Sequence, residues 1–193
     1  MQNTELPVAL KQFVNEMDAL LNTVSDESIL HLNVGDAMAK LVAKDDWLDP
    51  AFSLPHPQYY QQYLLYADPD ERYSVVSFVW GPGQQTPIHD HTVWGVVGML
   101  RGEEISQNYQ IAADGMPSPT GEAILLTPGK IALVSPALGD VHAVRNALDD
   151  QVSISIHVYG GNIGKIKRHV FSQQGGLPKD FISGYSNIEI VSE

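Results

Sequence analysis

From residue 73 onward the chain is cut into short apolar stretches by turn signals that recur too often for helices. Tyr73-Ser74-Val75-Val76-Ser77-Phe78-Val79-Trp80 reads as a strand. Pro82-Gly83, Arg101-Gly102, Asp114-Gly115, Pro128-Gly129, Pro136 to Gly139, Asp149-Asp150 and Gly160-Gly161 punctuate the residues beyond it. Many short strands at this spacing predict an all-β sandwich or barrel. The first residues follow a different period. Val8, Leu10, Phe13, Val14, Met17, Leu20 and Leu21 are spaced for a helix over 6–24. Ser25 or Asp26 is placed to cap a second helix through Ile29, Leu30, Leu32 and Val34, which Gly35 bends or ends. The pattern predicts a mainly β chain: a helical cap over 1–45, a barrel over 58–170 and a carboxyl-terminal wrap over 171–193, all in one domain of 193 residues.

Composition narrows the function classes. A formal net charge of −12 argues against a nucleic-acid partner, since phosphate binding needs clustered Lys and Arg. No apolar run reaches the roughly 18–20 residues of a membrane span, so no membrane partner is expected. The start, Met-Gln-Asn-Thr-Glu, lacks a basic leader, and a cytoplasmic location is the expectation. The absence of cysteine removes disulfides, thiolate ligands and thiol nucleophiles, so any metal must bind through His, Asp or Glu.

His89-Asp90-His91 supplies such ligands. Histidines at i and i+2 on a strand share one side of a sheet, and His142 lies in a second strand-like segment, Val141-His142-Ala143-Val144. Three neutral imidazoles without a carboxylate suit a borderline metal with open positions. A lone His-x-His is often structural; the third His beside the Pro136-to-Gly139 turn favours a site. Ser153-Ile154-Ser155-Ile156-His157-Val158-Tyr159 alternates strictly, so Ser155, His157 and Tyr159 share one face. Either that polar row is buried, with Ser orienting His and His orienting the Tyr hydroxyl, or it is the wet face of a half-exposed strand.

The run Gly83 to His91, then Gly95 and Gly102, followed by Pro136-Ala137-Leu138-Gly139-Asp140-Val141-His142 and Asn146, resembles the two motifs of the cupin superfamily, a double-stranded β-helix barrel. Where cupins usually carry a fourth, glutamate ligand, this chain has Gly95. By strand parity His89, His91, Val93 and Gly95 face inward and Trp94 outward, toward the cap. With the later Ser-x-His-x-Tyr, the stretch from Pro87 to Glu104 is similar to thiol dioxygenases of the cysteine dioxygenase family. That resemblance implies iron(II), Fe(II), on His89, His91 and His142, and an outer triad of Ser155, His157 and Tyr159 beside the substrate.

Two departures carry information. Animal cysteine dioxygenases have a Cys at the Gly95 position, joined to the tyrosine; no such crosslink can form here. They also hold the substrate carboxylate with an Arg, and the matching segment Tyr59 to Tyr66 offers Gln62 instead. This resembles the glutamine-type bacterial members associated with 3-mercaptopropionate. Of the four arginines, Arg145 has the wrong parity relative to His142, Arg101 sits in a turn, and Arg168, just past the Gly-rich bend, is the candidate for the carboxylate. The expected partners are a small thiol and O2, with a homo-oligomer left open. Cysteine dioxygenase proper, another metal-dependent cupin enzyme and a non-catalytic cupin binding module are the alternatives.

Overall fold

The computed structural model describes residues 5–188. The ends of the expected cap and wrap, residues 1–4 and 189–193, lie outside the described residues. Two helices come first, α1 (Val8–Thr23) and α2 (Glu27–Val42), then a 3-10 turn, Pro50–Phe52. Asp26 is the cap of α2, its carboxylate accepting from Ile29 N at 3.0 Å. Gly35 neither bends nor ends α2, which runs straight through it. The rest is strand: β1 (Gln61–Ala67), β2 (Ser74–Trp80), β3 (Ile88–His89), β4 (Gly95–Arg101), β5 (Glu104–Ile111), β6 (Pro117–Leu126), β7 (Ile131–Val134), β8 (His142–Asn146), β9 (Ser153–Tyr159), β10 (Arg168–Phe171) and β11 (Lys179–Phe181).

One sheet has the order β1-β2-β9-β4-β7, the other β11-β10-β3-β8-β5-β6, and every named pairing is antiparallel. Without the flanking β1, β10 and β11, two four-stranded sheets remain, β2-β9-β4-β7 and β3-β8-β5-β6. The chain passes from one to the other at each step except the β5–β6 hairpin. This is the jelly-roll path of a double-stranded β-helix, the cupin barrel that the motifs imply.

The first sheet is buried on both faces. Val75 and Val79 of β2, Val96 and Leu100 of β4 and Ile154, Ile156 and Val158 of β9 pack against Phe13, Met17, Val34, Met38 and Leu41 of the helices. The alternate residues Val76, Phe78 and Trp80 meet Val144 and Tyr159 between the sheets. Strand parity therefore decides the Ser155-His157-Tyr159 question: the row points into the barrel, and all three side chains are buried. Trp94 meets His31 of α2 edge to face at 6.0 Å, as its parity predicts.

Asn146 closes the barrel end. Its Nδ2 donates to the carbonyls of Trp80, Gly81 and Gln151, and its Oδ1 accepts from Leu148 N. Arg101 ends β4 rather than occupying a turn, and pairs with Asp45 below the cap. Among the described residues no helix is long and apolar enough to cross a membrane.

Gly98 marks the closest approach of α2 to the sheet: a Cβ there would lie 2.6 Å from Met38 Cγ and 2.9 Å from Val42 Cγ1. Gly98→Val should cost about 1–3 kcal/mol through overpacking. That predicts a fall in Tm of roughly 4–10 °C in thermal denaturation followed by circular dichroism.

Candidate functional site

His89 sits directly opposite His142 in the β3–β8 pair. His91 does not follow from strand parity, because β3 ends at His89. The chain turns at Asp90 and is caught by Asp140. One Asp140 oxygen accepts from His91 N at 3.0 Å and Thr92 N at 2.9 Å, and the other meets His91 Nδ1 at 2.8 Å. This grip holds Thr92 in the left-handed region, φ 60°, where a β-branched residue is strained. Asp90 makes a matching contact with β10, accepting from His169 N at 2.8 Å and pairing with its ring at 2.7 Å.

The three imidazoles form a nearly equilateral cluster, with ring centroids 4.9, 4.9 and 4.8 Å apart. One ligand atom from each lies within 4.8 Å of the others, and all three side chains are buried. Each outer nitrogen has a partner: His89 Nδ1 meets Pro87 O at 3.0 Å, His91 Nδ1 meets Asp140 Oδ1, and His142 Nδ1 meets Ser106 Oγ at 3.1 Å. A carbonyl and a carboxylate can only accept, so His89 and His91 carry their protons on Nδ1 and keep Nε2 free. Burial, then the neighbouring His91, pushes His89 down to about 3; burial and both other rings hold His142 well below the usual histidine value. Neutral imidazoles are the ligand form, so this donor set fits a divalent metal. Burial would raise the Asp140 carboxyl, but hydrogen bonds from the His91 ring and the two backbone N–H groups hold it below the ordinary value.

Beside the imidazoles runs the β9 row. Ser155 Oγ and His157 Nε2 are 2.8 Å apart, and His157 Nδ1 and the Tyr159 hydroxyl are 2.8 Å apart. The Tyr159 ring stacks on His91 at 5.4 Å, and the His157 ring packs on Phe78 at 4.2 Å. Burial, reinforced by His91 and His89, keeps His157 neutral. Gly95 is required by this packing: a Cβ would lie 2.7 Å from Tyr159 Cδ1 and 2.9 Å from Val134 Cγ2. The place of a fourth ligand is thus taken by the edge of the tyrosine ring.

A cavity of about 500 Å³ opens onto His89, His91, His142, His157 and Tyr159, and Gln62 and Arg168 line it too. Of the eight residues singled out in the sequence, only Ser155 stands behind the wall. Arg168 is 3% exposed. Its Nη2 donates to Ser183 Oγ at 2.6 Å, its guanidinium lies 4.6 Å over the Phe181 ring, and its Nε has no partner. Burial lowers its pKa, with Tyr159 and Tyr60 pulling the other way, but a guanidinium stays charged. Gln62 spends its Nε2 on Ser183 Oγ at 3.0 Å and Gly184 O at 3.1 Å.

The carboxyl-terminal stretch is therefore more than a surface wrap. Ser183, Gly184, Tyr185 and Ser186 form part of the cavity wall. Ser186 is laced to the Gln62 backbone, its N donating to Gln62 O at 2.7 Å and its Oγ accepting from Gln62 N at 2.8 Å. Sequence reasoning missed Ser106, Asp140 and Ser183. Asp140 stood inside a recognised motif, but nothing local signals its partner across the barrel.

Several solved structures are similar to this chain. One is an uncharacterised conserved protein with a double-stranded β-helix domain from Klebsiella pneumoniae subsp. pneumoniae MGH 78578, at 21% identity, covering 63% of this chain and 92% of that one, with a TM-score of 0.48. TT1209 from Thermus thermophilus matches at 20% identity over 57% of this chain and 91% of its own, TM-score 0.44. A cupin superfamily protein from Desulfitobacterium hafniense DCB-2 matches at 13% identity over 62% and 94%, TM-score 0.44. The sequence profile of cysteine dioxygenase type I matches residues 12–174, a span that takes in the helices, both sheets, the three imidazoles and the β9 row. The chain belongs to the cysteine dioxygenase type I family.

Proposed function

We propose that this chain is an iron(II) thiol dioxygenase that converts a small mercapto acid to its sulfinic acid, with 3-mercaptopropionate preferred over cysteine. The observation that carries the substrate choice is the charge pattern of the cavity. Arg168 is a buried cation with an unpartnered N–H, and no Asp or Glu is among the described lining residues. A carboxylate entering this space meets a fixed guanidinium; an ammonium group meets no anion.

His89, His91 and His142 would hold the metal. Bound there, iron(II) would supply the Lewis acidity that favours thiolate over thiol and the redox chemistry that lets O2 react at sulfur. The overall change balances without a reductant. The S–H bond is lost as a proton, two S–O bonds form, sulfur gives up four electrons and O2 takes up four, leaving a sulfinate.

The protein's own groups position the reactants. Arg168 binds the substrate carboxylate by charge-assisted hydrogen bonds. The Tyr159 hydroxyl, held by His157, donates to the substrate or to the oxygen being transferred, and burial keeps it protonated well above its usual range. Tyr60, stacked on Trp80 at 4.7 Å, and Phe78 exclude water from one wall. Gln62 contributes no charged grip; it anchors the wall that carries Ser183 and so tunes the shape of the cavity.

His91→Ala should lose bound iron, measured by elemental analysis, together with thiol-dependent O2 uptake; uptake at the native rate would overturn the proposal. Arg168→Met should lower kcat/KM for 3-mercaptopropionate by roughly 30–150-fold, the equivalent of about 2–3 kcal/mol of charge-assisted bonding, chiefly through KM. Iron content should hold, and cysteamine, which has no carboxylate, should change by less than about threefold. The wild-type chain should use cysteine about 10–100-fold less efficiently than 3-mercaptopropionate, since its ammonium is desolvated without a partner; equal efficiencies would remove the basis of the preference.

A further inference from the structure

Glu104, the first residue of β5, is 0% exposed, and neither carboxyl oxygen has a hydrogen-bond partner among the described residues. It lines a second cavity of about 260 Å³, which shares His142, Val144 and His157 with the first. Burial pushes the Glu104 carboxyl up to about 8, opposed by the nearby Ser155 hydroxyl and Trp80 indole. Leaving a polar group unpartnered in a closed interior is costly. At neutral pH this group is an acid with a proton to donate. It has no part in the oxygenation proposed for the histidine cluster.

The role open to Glu104 is set by the valence of Ser155. The neutral His157 ring has one N–H, so the row Ser155-His157-Tyr159 can run in two directions. If Nε2 carries the proton, it donates to Ser155 Oγ; Nδ1 then accepts from the Tyr159 hydroxyl, whose proton is spent inside the protein. If Ser155 donates to Nε2, then Nδ1–H donates to Tyr159, and the tyrosine O–H is free to donate into the substrate cavity. The choice depends on how many lone pairs Ser155 Oγ has left. Trp80 Nε1 already donates to it at 3.4 Å. A second donor fills the other lone pair, and the serine proton can then go only to His157.

We propose that Glu104 is that second donor, a positioning residue that fixes the direction of the row so that Tyr159 offers its proton to the substrate. The kinetic consequence rests on the dioxygenase reading; the proton arrangement does not. Glu104→Gln keeps a donor at the same reach. Glu104→Met removes it and replaces an unpartnered carboxyl with an apolar chain of similar volume, so Tm should hold or rise.

The first measurement is ¹⁵N NMR of the His157 ring in the full-length, metal-free chain, which is independent of catalysis. The native and Glu104→Gln proteins should carry the proton on Nδ1, and Glu104→Met should shift it toward Nε2. The second is O2 uptake with 3-mercaptopropionate. Glu104→Met should lower kcat about tenfold, Glu104→Gln should recover most of the rate, and the Met substitution should add nothing in a Tyr159→Phe background. An unchanged His157 tautomer in Glu104→Met, or an equal loss of kcat with and without the Tyr159 hydroxyl, overturns the proposal. Native protein with the expected tautomers but no thiol-dependent uptake would instead refute the dioxygenase reading and leave the assignment of Glu104 standing.

Discussion

The geometry of the metal-binding cluster hangs on one carboxylate. Asp140 receives the His91 ring and the backbone N–H groups of His91 and Thr92. It therefore does three jobs at once: it fixes the tautomer of a ligand, stabilises a left-handed turn, and ties the β3–β4 connection to the segment that leads into β8. Hydrogen bonds to an ionised acceptor are the strong ones, and a buried carboxylate is tolerable when its oxygens are filled in this way. Without it His91 would lie on a short unsupported bend two residues past the end of a two-residue strand.

The second organising constraint is the division of labour across β9. Ile154, Ile156 and Val158 pack under the helices, while Ser155, His157 and Tyr159 face the barrel interior. The helical cap thus braces the strand that carries the polar row. Its apolar side locks the backbone, and the backbone sets the spacing of the hydrogen-bonded side chains at 2.8 Å. Substituting a residue under α2 would reach the site through this strand rather than by contact.

Periodicity and turn chemistry made much of this readable from the chain alone. The two-residue alternation of 153–159 named the row, and the turn spacing announced the β fold. The His89-His91-His142 set with Gly95 foretold a cluster lacking a carboxylate. The features that stayed hidden depend on contacts distant in sequence. His91 reaches the cluster by a turn around Asp140, although strand parity alone pointed to the same place. Gly35 lies inside a helix because packing of Val34, Ala37 and Met38 outweighs the local cost of a glycine. Glu104 looked like any acid beside Glu103; only the barrel's closure makes it buried. Ser183 lay in a stretch whose composition suggested surface chain, and its partners Gln62 and Arg168 belong to β1 and β10.

The Ser183 bridge also orders the assembly of the molecule. A ribosome delivers His89, His91, His142 and the whole β9 row before it delivers Ser183. The ion-binding cluster and the barrel around it can be complete while the guanidinium of Arg168 still lacks its serine anchor and the cavity its far wall. The molecule is thus assembled in two installments, with the grip on iron first and the grip on the carboxylate last.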